Sequence, residues 1–345
     1  MSAPDDVTER EGRIDEVHGM LVTVRTPDGA RHRCRPPAEA RQPAARGKNR
    51  PDTALEAIAR DTTPHAPVVG DRVTFAIDRG EAKVTAILPR ARVVSRCQEH
   101  GVRPMAAHID RLVLVSAVEP APKAGLIDRY VVTADPDVEV WLVLNKCDLG
   151  GEALATAEAA LADLVAAGLR CFRVATRGDG LAATDGLRSL RAAIASGTTM
   201  FAGHSGVGKS SLLNALVPDL ALTTGDVNDQ TRKGRHTTTV ATMHTIGEAC
   251  LIDTPGVRAW SLDGVPLPRV AARFPGLEGH AARCHMADCL HDGEPGCAVA
   301  DAVAEAHIPA VRLERYLQLK SSLEAERASR KQPSVHAART RAPRG

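Results

Sequence analysis

"GHSGVGKSS", residues 203–211, fits the phosphate-binding pattern G-x-x-x-x-G-K-S/T and lies between an apolar run, Thr199 to Ala202, and a helix-prone run, "SSLLNALV". Strand, glycine-rich loop and helix in that order form the setting in which backbone N–H groups turn inward around a phosphate. Gly203, His204, Ser205, Gly206, Val207 and Gly208 make the loop. Lys209 brings a point charge to the β- and γ-phosphates, and Ser210, with Ser211 beside it, offers a hydroxyl to Mg2+. Such a loop does not name the base, and a nucleotide kinase would carry the same one.

The base is named upstream. "EVWLVLNKCDL", residues 139–149, reads as a buried strand ending in Asn145, Lys146, Cys147 and Asp148, an NKxD motif. An aspartate carboxylate accepts two hydrogen bonds from N1–H and the exocyclic amine of guanine, a pair that adenine lacks, so Asp148 selects guanine. Asn145 is expected to steady the loop and base, and Lys146 to lie along the ring. A third piece, "LIDTPG" (Leu251 to Gly256), ends a strand at Asp253, suited to the Mg2+ water shell, with the Gly256 N–H near the γ-phosphate. Between them "GRHTTT", residues 234–239, reads as a switch loop. One of Thr237 to Thr239, with Thr238 as the candidate, completes the Mg2+ shell.

In an ordinary GTP-binding domain the base reader follows the phosphate loop; here it precedes it. Four matching pieces in one chain favour a domain whose order has been cut and rejoined. Permutation is tolerated when the old termini lie close together and the cut falls in a surface loop.

Around this core the pattern changes twice. Residues 12–34 show short alternating runs broken by His18-Gly19 and by Pro27-Asp28-Gly29, and "VVGDRVTFAI" and "EAKVTAIL" resume the pattern after a Pro-, Ala- and Arg-rich insert from Pro36 to Pro67. Five short strands with one long loop predict an OB-fold barrel. From Ile109 onward, apolar runs alternate with Ala- and Leu-rich helical stretches, as in a parallel α/β sheet. The expected fold is therefore multi-domain α/β: a barrel over residues 1–100, a circularly permuted P-loop GTPase domain over 101–266, and a zinc-binding helical domain with a basic tail over 267–345.

The last domain is marked by C-x4-C-x-H-x5-C: Cys284, Cys289, His291 and Cys297. Three thiolates and an imidazole make a closed tetrahedral set for one structural Zn2+. His285, beside Cys284, is a rival ligand, and redox thiols are the other reading. The remaining cysteines are scattered and expected to be inert.

Composition bounds the partners. With 43% hydrophobic residues the chain can build real cores, but at 2% aromatic it cannot bind nucleic acid chiefly by base stacking. The net charge of +2 hides an uneven distribution: seven basic residues and one acid lie between Arg31 and Arg50, and six basic residues with no acid follow Glu326. These segments are either solvated loops or phosphate contacts. No run approaches the roughly 18 to 20 apolar residues of a membrane span, and the N-terminus has no signal-like stretch, so a cytoplasmic protein without a membrane partner is expected.

A permuted GTPase between a barrel and a Cys-His cluster resembles the ribosome small subunit-dependent GTPase A family. The matching stretches are "VVGDRV", "LVLNKCDL", "GHSGVGKSSLLNAL", "GRHTTT", "LIDTPGVR" and the Cys-His cluster, and they span nearly the whole chain. The resemblance implies late maturation of the small ribosomal subunit, with rRNA as partner and GTP as substrate. "VATRGDGL", residues 174–181, stands where the family has a Ser-Ala guanine-contacting loop, which leaves the roles of Ala175 and Thr176 open. Val257 and Arg258 follow Gly256 where many GTPases place a water-orienting glutamine, so intrinsic hydrolysis should be slow. His236 in the switch loop is the candidate catalytic group beside Lys209. A monomer is expected. The alternatives are a nucleotide kinase and a zinc-dependent RNA-binding protein with a vestigial nucleotide site.

Overall fold

The computed structural model describes residues 9–37, 66–98, 101–176, 181–217, 220, 222, 241–254, 260–262 and 265–331. The chain divides into two compact units, residues 1–265 and 266–345.

The first unit opens with β1 (Glu9–His18), β2 (Leu21–Arg25), β3 (Arg31–Arg35), β4 (Arg72–Asp78) and β5 (Glu81–Ile87). They pair in the order β1-β2-β3-β5-β4, and β4 returns to β1, closing the expected five-stranded barrel. Alternation along the strands turns Ile14, Val22, Val24, Cys34, Val73, Phe75 and Val84 into one core. Between Ile14 and Glu16 the register of β1 against β2 slips by one residue, a bulge at Asp15. The fully buried Asp15 carboxylate accepts from Arg25 at 2.8 Å and pairs with Arg31 at 3.1 Å.

Gly70 and Asp71 of "VVGD" lock the barrel's entry to β4. Gly70 has φ +92, and a Cβ there would collide with the Ala107 carbonyl. Asp71, fully buried, takes both arms of Arg90 at 2.7 Å and the Val68 N–H at 2.9 Å.

A hairpin of β6 (Val94–Gln98) and β7 (Gly101–Ala106) comes next, which the sequence pattern did not reveal. The expected boundary at residue 100 falls between its two strands. Beyond it lie β8 (Arg111–Ala117), α1 (Ala124–Thr133), β9 (Glu139–Asn145), α2 (Gly151–Ala166), β10 (Arg170–Arg173), α3 (Leu181–Ala193), β11 (Gly197–Gly203), α4 (Lys209–Leu216), β12 (Thr242–Ile246) and β13 (Ala249–Asp253).

The strand order is β10-β9-β8-β11-β13-β12, parallel except for β12, which runs antiparallel to β13. Strands β8 and β11 read as almost unbroken apolar runs because both faces are covered: Leu112, Leu114 and Met200 pack on one side, Val113, Val115 and Phe201 on the other. At its far edge β12 meets the barrel, with Thr242 opposite Glu16 of β1, so barrel and GTPase sheet are one continuous sheet.

The second unit contains α5 (Leu267–Arg273), α6 (Glu278–Ala281), α7 (Ala298–Ala304) and α8 (Ala310–Lys331). Phe274 meets Tyr316 edge-on at 5.5 Å, and the fully buried Arg312 donates to the Pro275 carbonyl from Nη2 at 2.8 Å. Among the described residues no helix is long and apolar enough to cross a membrane.

Candidate nucleotide site and metal centre

The C-terminal ends of β9 and β11 are neighbours but one, separated by β8, which brings the loops after them together. Asn145, fully buried at the end of β9, donates from Nδ2 to the Val207 carbonyl at 3.0 Å and accepts the Lys146 N–H at 2.8 Å. Lys146 sits in the left-handed region at φ 61 and sends its ammonium to the carbonyls of Glu119 (2.6 Å) and Gly206 (2.8 Å). The base-reading motif is thus fastened to the phosphate loop by two side chains. Asp148 lies in a short 3-10 turn, Cys147–Leu149, and its side chain is exposed.

The neighbouring strand completes this edge. The Cys147 N–H donates to the Val174 carbonyl at 3.1 Å, and Val174 N–H to Leu144 O at 2.8 Å, so Ala175 and Thr176 stand directly beside the NKxD turn.

The phosphate loop runs from the end of β11 to α4. Gly206 and Gly208 have φ +85 and +83, the turn that aims N–H groups inward. Gly208 has a second reason to lack a side chain: a Cβ would meet Asn145 Nδ2 at 2.5 Å. A Cβ on Gly203 would meet the Val115 carbonyl at the same distance. His204 donates from Nδ1 to the Ser205 carbonyl at 2.8 Å. Val207 is buried, and Ser210 and Ser211 occupy the first turn of α4.

On the opposite side, β13 ends at Asp253, whose carboxylate is paired with the Lys209 ammonium. Thr254, buried, donates to the Phe201 carbonyl at 2.7 Å and pins the end of β13 to β11. A hydroxyl at the start of a helix and a strand-end carboxylate are the oxygen donors that Mg2+ takes alongside phosphate and water. His236, Thr238 and Gly256 lie outside the described residues, as do most of the basic insert and the tail.

In the second unit Cys284, Cys289, His291 and Cys297 place their ligand atoms within 4.8 Å of one another. His291 Nδ1 is 3.6 Å from Cys284 Sγ and 3.5 Å from Cys297 Sγ, against the roughly 3.5 Å edge of a tetrahedron with zinc's usual S and N bond lengths. His291 reaches inward from a left-handed backbone at φ 56, while His285 is exposed and outside the cluster. Burial pushes the Cys289 thiol up to about 12, so a cation held here would have to displace its proton. Around the cluster the Glu294 carboxylate accepts the N–H groups of Leu290 (2.9 Å) and Asp292 (2.6 Å). Lys320 of α8 binds Asp292 at 2.6 Å.

Along the sheet edge the phosphate loop after β11 lies between the NKxD turn after β9 and the end of β13, and along the chain the NKxD turn comes first. The fold is that of a circularly permuted GTPase. The chain belongs to the RsgA GTPase family, whose model matches residues 87–263, and by that membership it is a GTP hydrolase. A protein of Chromohalobacter salexigens described as small ribosomal subunit biogenesis GTPase RsgA is 36% identical, across 94% of this chain and 89% of its own. One of the same description from Azotobacter vinelandii is 40% identical over 75% of each chain. Among solved structures, YjeQ from Thermotoga maritima superposes with a TM-score of 0.65 at 24% identity, covering 92% of this chain and 99% of its own. YloQ, described as a circularly permuted GTPase, gives 0.64 at 22% identity, covering 96% of this chain and 100% of its own.

Proposed function

We propose that the protein hydrolyses GTP to GDP and phosphate during biogenesis of the small ribosomal subunit, binding rRNA as it does so. The reading rests on one observation above the others: Asn145 of the base reader is hydrogen-bonded to the Val207 carbonyl in the phosphate loop. A guanine held by Asp148 therefore projects its phosphates onto the loop of Gly203 to Gly208. The relatives' descriptions supply the ribosomal context.

In this reading Asn145 and Lys146 orient the base-reading turn, and Asp148 accepts from the guanine edge. The loop N–H groups and Lys209 take the β- and γ-phosphates, leaving the Asp253 carboxylate to the Mg2+ shell with Ser210 and Thr238. The bound Mg2+ neutralises charge on the phosphates. Gly256 meets the γ-phosphate and His236 positions the attacking water, with no glutamine after the DTPG motif. Cys284, Cys289, His291 and Cys297 hold one structural Zn2+. The basic residues of the barrel and insert contact rRNA phosphates, and the protein works as a cytoplasmic monomer whose hydrolysis releases it from the particle.

Phosphate release from GTP, with ATP as control, tests this with and without small ribosomal subunits. Stimulation confined to GTP is expected. Equal rates with and without subunits would remove the ribosomal partner, and phosphate appearing on GMP instead of in water would favour a kinase. Metal analysis should find one zinc per chain, lost when Cys297 is replaced by Ala.

A further inference from the structure

The pairing of β1 with β12 creates a lateral row that crosses from barrel to nucleotide site. Thr23 stands opposite Glu16, Glu16 opposite Thr242, Thr242 opposite Asp253, and Asp253 opposite Phe201. Directly opposed residues share a face of the sheet. The Thr23 hydroxyl, which donates to Glu16 at 3.3 Å, and the packing of Phe201 in the core beneath α4 fix which face it is. It is the face on which Asp253 pairs with Lys209.

His244, two residues beyond Thr242 on β12, lies on that same face, diagonal to Asp253, where antiparallel neighbours stand roughly 7 to 8 Å apart. Its Nε2 is buried and has no hydrogen-bond partner. On the barrel side, one oxygen of the buried Asp15, Oδ1, is likewise unpartnered. Leaving such atoms unpaired costs roughly 1 to 3 kcal/mol each, so both are ready to take a partner. His244 lies within electrostatic reach of Asp253 on one side and of Asp15, Glu16 and Arg31 on the other. Burial lowers its pKa, which keeps the ring neutral with a single N–H to give.

We propose that His244 is a positioning residue for the magnesium side of the nucleotide site, giving its one ring N–H either to Asp15 of the barrel or to Asp253 of the GTPase sheet. Given to Asp253, it orients the carboxylate that receives the Mg2+ shell. Given to Asp15, it ties the barrel to β12 and leaves Asp253 unsupported. The bulge in β1 puts Asp15 and Glu16 on the same outer face of the barrel, and the Arg25 and Arg31 pairs hold the Asp15 carboxylate there. The barrel thereby acquires a say in how well the site holds magnesium. This inference rests on the reading of Asp253 given under the proposed function.

The experiment is a Mg2+ titration of the affinity for a fluorescent guanine nucleotide, read as binding with no turnover, in wild type and four variants of the full chain. Removing a hydrogen bond behind a metal ligand typically weakens metal affinity 10- to 100-fold. His244→Leu should raise the half-saturating Mg2+ concentration about tenfold and leave the affinity measured without Mg2+ unchanged. His244→Gln, which keeps an N–H donor, should stay within about twofold of wild type. Asp15→Asn should shift the requirement the other way, lowering it about two- to threefold, because the ring proton then goes to Asp253; in the His244→Leu background it should have no effect. General damage to the interface would move both single variants in the same direction, and that result would overturn the proposal. So would a wild-type Mg2+ dependence in His244→Leu. Should His244→Leu fail to fold, a raised or unchanged requirement in Asp15→Asn overturns it equally. A wild-type protein that binds no guanine nucleotide would overturn the reading of the site, and this inference with it.

Discussion

The guanine side and the magnesium side of the nucleotide site are built from different materials. The guanine side stands on parallel strands covered on both faces. Its key residue, Asn145, is fully buried and spends its side chain on backbone groups, Val207 O and Lys146 N. The magnesium side stands on β13 and its antiparallel neighbour β12, and its partners are charged side chains: Lys209 with Asp253, and beyond β12 the cluster of Asp15, Arg25 and Arg31. The residues proposed to recognise the base are held by packing and backbone hydrogen bonds, and those proposed for the magnesium side by side-chain charges. Geometry of the first kind is set when the domain folds, whereas the second kind can be altered by whatever touches the barrel.

The largest expected effect falls on the magnesium side. Lys209→Ala should lower single-turnover GTP hydrolysis about 100-fold or more, since losing one partner of a desolvated charged contact costs on the order of 2 to 5 kcal/mol. A rate within tenfold of wild type would break the distinction, because the side-chain charge would then not carry that half of the site.

Gly208→Ala probes the guanine side through the backbone. With φ +83 and Asn145 Nδ2 at 2.5 Å from the new Cβ, about 1 to 3 kcal/mol of strain should weaken GTP and GDP alike, by roughly 10- to 100-fold in equilibrium binding. A loss confined to GTP would show that the strain had passed to the magnesium side instead.

Asp148→Ala sharpens recognition alone. The preference for GTP over ITP, which lacks the exocyclic amine, should collapse by about tenfold in competition binding, with single-turnover hydrolysis at saturating nucleotide nearly unchanged.

The last effect is on stability and leaves the nucleotide site untouched. Burial, with Arg72 and Arg13 nearby, lowers the pKa of His108 to about 4. The unfolded chain therefore binds a proton that the folded one refuses between pH about 6.5 and about 4. The neutral ring's contribution is complete above that window and declines as pH falls through it, by at most about 1.4 kcal/mol per pH unit. Denaturant midpoints of His108→Gln should fall less steeply between pH 7 and pH 4 than those of wild type. An identical slope would remove His108 as the source.

Much of this arrangement is legible in the residues. The phosphate loop and NKxD end apolar runs long enough to be read as strands, their order announces the permutation, and the spacing of Cys284, Cys289, His291 and Cys297 picks out the metal cluster. Alternation predicts the barrel strands. What escapes is non-local. Strand β12, "TMHTI", has neither a continuous apolar run nor a motif, so neither the strand nor His244 stands out. The β6–β7 hairpin contains Pro104 and three charged or amide side chains among its residues, and its pairing depends on tertiary contacts such as the Val94 to Ala134 bridge. The Lys146 ammonium is held by the carbonyls of Glu119 and Gly206, contacts with segments 27 and 60 residues away that no local pattern encodes. His285 stands beside Cys284 as a rival to His291 in the sequence; burial and the left-handed backbone at His291 place that ring, and not His285, among the thiols.

The partition of β1 has a practical consequence for anyone who would exchange modules in this family. One edge of the strand pairs residues Glu9 to Arg13 with β4, closing the barrel, and then, past the bulge, gives Glu16 to β12. The same ten residues are a stave of the barrel and a border of the GTPase sheet. A chimera that imports a foreign barrel therefore also imports a foreign edge for the enzyme, and a one-residue deletion between Arg13 and Glu16 would spoil two modules at once. A graft that keeps this chain's β1 and replaces only β2 to β5 should be the one that stays soluble and active.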